Sequence, residues 1–387
     1  MRVAIGTFEA TPRMIDRVVR VLRSGRLSYG PESKELEQEF ALLHDSLYGV
    51  LSNSGTSSLV VALQALKELY GWPDGSEVIV PAITFVATVN AVLQCRMAPV
   101  LVDVEPQYYD LNPRKIAGAV TDKTVACIAV NVFGKPADLL EISRACWENG
   151  KLTLIEDSCE AMLVEISGRK VGSVGKVGVF SFYMAHLLTA GVGGIGITED
   201  YEIARKMRSL VNHGISVENL PGPDRYDPAF LGRNFEFDSI GHSFRITELE
   251  AAIALEELNR LYSIVDKRNA VAVYYDRLLS GFADKMQLPE VRPNSRSSWM
   301  MYPIVMRFQG KHEIMGWLRR ADIEVRDMLP LTTQPCYKGM FNPSDYPVAQ
   351  WINESGFYIG CHPGINHEQQ EYVADVIYEY WRNHEDK

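Results

Sequence analysis

The sequence predicts an α/β protein: a large domain on a mostly parallel sheet over residues 1–262, then a small α+β domain over residues 263–387. Three observations predict it. "EVIVPAITFVATVNAVLQCRMAPVLVDV" reads as strand, helix and strand, a complete βαβ unit. The alternation continues through "TVACIAVNVFG", "KLTLIED" and "VGVFSF", and strands separated by crossover helices lie parallel. Past about residue 265 the pattern changes to short strands and a closing helix, and 387 residues exceed one ordinary core.

The elements follow in order. "NSGTSSLVVALQALKEL" opens with small polar residues and then sets Leu59, Leu63 and Leu66 on one helical face. Val78 to Val80 form a buried strand, Phe85 to Leu93 a helix and Val100 to Val104 the next strand. Ala137 to Asn149 form the helix before "KLTLIED", and "VGVFSF" and "GGIGIT" pair around a loop. Residues 216–236, rich in Pro, Gly and charge, read as a surface loop or flap. Thr247 to Leu261 form an amphipathic helix that leads out of the large domain. In the small domain "MMYPIVMRF" and "IEVR" are strands, "HEIMGWLRRA" is a helix, and Glu368 to Trp381 close the chain as a helix.

Hydrophobic residues make up 47% and charged residues 23%, as in ordinary globular proteins. A net charge of -10 argues against nucleic acid or an anionic membrane as the main partner. The six cysteines (Cys95, Cys127, Cys146, Cys159, Cys336 and Cys361) contain no CxxC pair, so no metal site is expected. "MRVAIGTFEA" lacks the apolar core of a signal peptide, and no apolar run is long enough to span a bilayer. A cytoplasmic protein is the expectation.

Several residues could carry chemistry. Asp157 ends a buried strand, where open α/β sheets bind ligands, and a buried carboxylate there calls for a cation such as a protonated pyridine nitrogen. An aspartate at a strand-to-helix junction equally serves as an N-cap. Gly55 and Thr56 start a helix whose N–H groups suit a phosphate, although ordinary capping gives the same pattern. Phe85 follows a strand and could stack on a flat ring or simply fill the core. Ser181 is a second phosphate hydroxyl or a solvated turn residue.

The order and spacing of these pieces resemble the DegT/DnrJ/EryC1/StrS family of sugar aminotransferases. The resemblance spans nearly the whole chain: "RSGRLSYGPESKELEQEFA", "SNSGTSSL", "VIVPAITFVATVNAV", "IEDSCEA", "GSVGKVGVFSF", "VNHG", "FRITELEAAIAL" and "IGCHPGINHE". It implies the type I pyridoxal-phosphate-dependent fold, aspartate aminotransferase-like, with a seven-stranded large sheet. It implies that Gly55, Thr56 and Ser181 hold the cofactor phosphate, that Phe85 stacks on the ring and that Asp157 pairs with its nitrogen. It also implies a homodimer with shared active sites, in which "IGHSFR" reaches the neighbouring subunit. Ser243 stands there where the family usually has a phosphate-binding asparagine.

The family's aminotransferases carry a lysine five residues after the Ser181 position, which tethers the cofactor. This chain has His186. Imidazole forms no stable tether to an aldehyde but moves protons near neutral pH. In that respect the chain resembles the sugar 3-dehydratase branch, whose type nearest in pattern acts on GDP-4-keto-6-deoxymannose. Glu160, where aminotransferases usually have glutamine, and His213, in "VNHG", agree with that branch. The resemblance implies pyridoxal and pyridoxamine 5'-phosphate as cofactor forms, a nucleotide-linked 4-keto-6-deoxy sugar as substrate and glutamate as amino donor. His186 then acts as acid and base at C3. A sugar or amino-cyclitol aminotransferase is the alternative, and a decayed site would also explain the histidine. Lys176 and Lys206 stand away from the cofactor aldehyde in the family pattern. Val192 interrupts the family's GEGG turn, and Arg225, Arg233, Arg326 and Lys338 are candidates to meet a diphosphate. The scattered cysteines argue against the branch that adds an iron–sulfur cluster.

Overall fold

The computed structural model describes residues 1–216 and 236–384. Helices α1 (Pro12–Ser24) and α2 (Pro31–Leu43) precede strand β1 (Tyr48–Ser52) and helix α3 (Gly55–Tyr70). Then come β2 (Glu77–Pro81), α4 (Val86–Gln94), β3 (Ala98–Val102), β4 (Thr124–Val130), α5 (Leu139–Glu148) and β5 (Thr153–Asp157). Strands β6 (Val177–Ser181) and β7 (Gly194–Thr198), then α6 (Tyr201–Val211) and α7 (Glu248–Leu258), complete the large layer.

The seven strands lie in the order β1-β7-β6-β5-β4-β2-β3. Neighbours β3, β2, β4, β5 and β6 pair in parallel, while β7 runs antiparallel to both β6 and β1. Only β7 therefore runs against the rest, and the carboxyl ends of the other six strands share one edge. That edge is where ligands meet open α/β sheets. The strands are nearly continuous apolar runs because helices cover both faces. Helix α2 starts at Pro31, and the buried Glu248 carboxylate on α7 accepts from the N–H groups of Gly30 at 2.7 Å, Glu32 at 2.9 Å and Ser33 at 2.9 Å. An acid at a helix N-terminus satisfies its free donors and its dipole together.

Helix α8 (Leu261–Leu279) leaves the large layer. The expected helix from Thr247 to Leu261 is two helices, because the chain turns at Asn259 and Arg260 before α8 begins. The boundary expected at residues 262 and 263 falls inside the first turn of α8, whose Leu261 and Val265 pack in the large core while Val271, Ala272, Tyr275 and Leu279 pack in a second core. Around that second core lie β8 (Met286–Gln287), β9 (Met301–Met306), α9 (Lys311–Arg320), β10 (Val325–Asp327), β11 (Gly356–Gly360) and α11 (His367–Arg382), while α10 (Pro347–Ser355) sets Ala349 and Ile352 in the large core. The small sheet, in the order β8-β9-β11-β10, is antiparallel throughout. The amino end joins this layer: Val3 bridges to Ile323, giving its N–H to Asp322 and accepting from Glu324. No helix among the described residues is long and apolar enough to cross a membrane.

His44, fully buried at the end of α2, fixes one end of the large core, against Phe40 and Phe180. Its Nδ1 lies 3.1 Å from the Phe40 carbonyl, which makes Nδ1 the donor, and Nε2 accepts from the Leu163 N–H at 3.3 Å. Burial holds the imidazole down to about 4. The unfolded chain protonates near the ordinary value of about 6.5. The stabilising contribution is therefore complete above about 6.5 and is lost as pH falls toward 4. His44→Leu should lower the urea midpoint at pH 7.5 by an amount equivalent to about 1–3 kcal/mol, the cost of an unaccepted buried N–H. It should also flatten the fall in midpoint between pH 6.5 and 4.

Candidate active site

Along the shared edge of the sheet lies a cavity of about 460 Å³, within the range of small-molecule pockets. Five strand ends contribute to it: Ser54, Gly55 and Thr56 after β1; Thr84 and Phe85 after β2; Val130 and Val132 at β4; Asp157, Cys159 and Glu160 at β5; Ser181, Tyr183 and His186 at β6. Met300, Met301, Arg326, Leu329 and Tyr358 close it from the small layer, with Ile5 from the amino end. Arg326 and Tyr358 are register partners on β10 and β11, which puts both side chains on one face.

Asp157 is 7% exposed. Its carboxylate accepts from Thr88 Oγ1 at 2.8 Å and from the Cys159 N–H at 3.3 Å. Burial pushes its pKa up, opposed by the Cys159 and Thr88 hydrogen bonds. Among the described residues no cation bridges it, and no helix follows β5, so the capping role is absent. Thr88, one turn after Phe85 and held to Thr84 at 2.6 Å, is a site residue that sequence reading missed.

The start of α3 is equally specific. Ser54 is the N-cap of α3 and accepts from the Ser57 N–H at 3.0 Å, so Gly55 and Thr56 are the first helical residues. A Cβ on Gly55 would sit 2.6 Å from Cys159 Sγ and 2.7 Å from Ser181 Cβ, and one on Gly194 would lie 2.5 Å from the Gly55 nitrogen. Both positions need glycine so that β6 and β7 can approach the helix N-terminus. Ser181 is buried and lines the cavity, not a solvated turn. Phe85 is 59% exposed and also lines the cavity, so its ring is not core.

Glu160 accepts from the Phe133 N–H at 2.7 Å, and burial pushes its carboxyl up to about 7. It lies in a turn, not on a surface helix. His186 has Nδ1 3.4 Å from the Ser181 carbonyl, and its ring meets Tyr183 edge-on at 5.8 Å. Burial lowers its pKa to about 4, with Arg268 adding to the effect, so the imidazole is neutral at pH 7.

The profile of the DegT/DnrJ/EryC1/StrS aminotransferase family matches residues 9–378. The chain belongs to that family. It is 36% identical over 362 residues to a UDP-N-acetyl-3-dehydro-alpha-D-glucosamine 3-aminotransferase of Acidithiobacillus ferrooxidans, covering 92% of this chain and 91% of the relative. It is 30% identical to a dTDP-4-dehydro-2,6-dideoxy-D-glucose 3-dehydratase of Saccharopolyspora spinosa, covering 92% and 81%. The solved GDP-4-keto-6-deoxy-D-mannose-3-dehydratase of E. coli, which has bound hydrated pyridoxal phosphate, superposes with a TM-score of 0.86 at 23% identity, over 97% of this chain and 99% of that one.

The fold is thus the type I fold of this family, and its cofactor is pyridoxal phosphate. The residues present fit that group: a buried carboxylate without a cation for the ring nitrogen, an exposed aromatic for the ring face, and a helix N-terminus opened by two glycines for the phosphate. Of the family positions expected to serve the site, His213 and Ser243 do not line the cavity. They lie together on the surface around Arg245, whose Nη2 is 3.2 Å from His213 Nε2 and 3.1 Å from Ser243 Oγ. Lys338 also lies outside the cavity lining, and Arg225 and Arg233, like most of the loop over residues 216–236, fall outside the described residues. Nothing in the structure explains the valine at 192. All six cysteines are free, and among the described residues no three metal-ligating side chains gather.

Titration of the cofactor-free protein with pyridoxal phosphate, read by absorbance, checks the cradle. Gly55→Ala should weaken binding by roughly tenfold or more, because about 1.4 kcal/mol of clash suffices for that. Asp157→Asn should also weaken it while leaving the thermal midpoint nearly unchanged.

Proposed function

We propose that this chain is a nucleotide-sugar 3-dehydratase that uses pyridoxal and pyridoxamine phosphate to remove the C3 hydroxyl of a 4-keto-6-deoxy sugar, with His186 as acid and base. One observation carries the reading. An imidazole stands in the cavity wall where the family's transaminases carry a primary amine, and among the described residues no lysine lines the cavity. Lys176 lines a separate cavity among the residues before β5 and β6, and Lys206 is held by Glu68 at 2.6 Å. Neither supplies the missing amine.

When bound, the cofactor supplies an amine for the C4 ketone and a ring that withdraws electrons. The chain does the rest. Asp157 would keep the ring nitrogen protonated, Phe85 would cover the ring face, and Gly55, Thr56 and Ser181 would receive the phosphate. Glu160 would hold the ring hydroxyl. His186, neutral at the start, would take a proton from the carbon beside the amine nitrogen and deliver it to the C3 hydroxyl, which would leave as water. Water would release a sugar that carries the cofactor's nitrogen at C4, and a second water would replace that nitrogen, giving ammonia and a 3-deoxy-4-keto sugar. Glutamate would return an amine to the cofactor. Arg326, the one cation among the described lining residues, is placed for an anionic part of either substrate. In this reading the enzyme is a cytoplasmic homodimer in which His213 and Ser243 serve the partner's cavity, in keeping with their surface position.

A sugar aminotransferase is the second reading, favoured by the 36% identity to an enzyme of that activity. Product analysis separates the two: a dehydratase releases ammonia, whereas a transaminase keeps the nitrogen on the sugar. His186→Lys should lower dehydration by roughly 10²–10⁴-fold, the range for loss of a general base. Borohydride should then fix the cofactor covalently to the variant but not to the natural chain. Dehydration at the natural rate in this variant would overturn the assignment.

A further inference from the structure

We propose that Arg268, which lies outside the cavity, is a positioning residue for His186: its guanidinium ties the His186 loop to the small layer and holds the imidazole in place. This rests on the proposed role of His186.

Arg268 lies on α8, is 4% exposed and has no carboxylate partner among the described residues. Its charge is met by carbonyl oxygens alone. Nη1 donates to Trp299 at 3.0 Å, Met300 at 2.8 Å and Cys361 at 2.8 Å, while Nη2 donates to the His186 carbonyl at 3.3 Å. Nε is buried with no partner. Burying an unpaired cation is costly, and a neutral apolar side chain would fill the space with less desolvation. What only a guanidinium provides is a rigid fork that reaches several acceptors at once. Here the acceptors belong to three separate segments: the loop after β6, the entry to β9 and the end of β11.

The tie continues into the cavity. The Met300 N–H donates to the Phe133 carbonyl at 3.1 Å, and the Phe133 N–H donates to Glu160 at 2.7 Å. Phe133 sits in the left-handed region at φ 59°, a strained conformation for an aromatic residue. Arg268 therefore connects His186, through the Met300 backbone and this turn, to Glu160. Its positive charge also disfavours protonation of the two histidines that face it, His186 and His362. The other titratable groups nearby are Cys361, whose thiol donates to the Arg268 carbonyl at 3.5 Å, and Tyr183 against the His186 ring.

The test uses the cofactor-free full chain with ¹³C-labelled histidine. The chain has eight histidines, and His186→Asn assigns the resonance. Arg268→Lys keeps the charge but loses the fork, and Arg268→Met loses both. In Arg268→Lys the His186 resonance should shift and broaden, kcat for dehydration should fall at least tenfold and KM for the sugar should stay within about threefold. In Arg268→Met, if it folds, the imidazole should titrate at higher pH than in the natural chain. A His186 resonance unchanged in Arg268→Lys, with only the thermal midpoint lowered, would overturn the positioning role whatever reaction the enzyme performs. A shifted resonance with unchanged kcat would uphold the tie and instead sink the assignment of His186 as proton carrier.

Discussion

The carboxylate of Asp157 is the constraint around which this protein is arranged. It is buried at the end of β5, held by a threonine hydroxyl and one backbone N–H, and given no cation by the described chain. A buried ionised carboxylate without a counter-charge is unstable, so the site is complete only with a ligand that brings positive charge. The sheet makes this possible. Six strands ending on one edge collect polar residues there without interrupting the apolar strands below. The helix N-terminus at Gly55 offers donors for an anion at the same edge. Together these features define a ligand with a cationic ring and an anionic tail.

The cavity nevertheless belongs to both layers. Met300, Met301, Arg326 and Tyr358 come from the small sheet and its entry, and α8 carries one core into the next. The small layer is thus not an appendage. Strand β9 begins at the segment that Arg268 holds, and the same segment clamps the Phe133 turn.

Much of this was legible in the chain. The βαβ alternation gave the parallel sheet, and Gly55, Thr56, Phe85, Asp157, Glu160, Ser181 and His186 all line one cavity. Each lies at a strand end, a helix start or the loop just after a strand, where the type of side chain already limits the chemistry. Other parts left no local signal. Strand β1 is only five residues long and follows a charged helix. Helix α8 divides its apolar residues between two cores, so no single stripe marks it. Arg268, Tyr358 and Ile5 become site neighbours only through tertiary packing, which no spacing in the sequence encodes. His213 carries the family pattern and Ser243 departs from it, yet within one chain both gather on the surface around Arg245.

The bridge between Val3 and Ile323 has a consequence for how the protein is made. The two residues are 320 positions apart, so Val3 has no partner until 320 further residues have been translated. At common elongation speeds that wait is roughly twenty seconds to a minute. Ile5, carried on the same segment, reaches the cavity wall only afterwards. A nascent chain can therefore fold its large sheet early, but its pocket closes only after residue 323 has emerged.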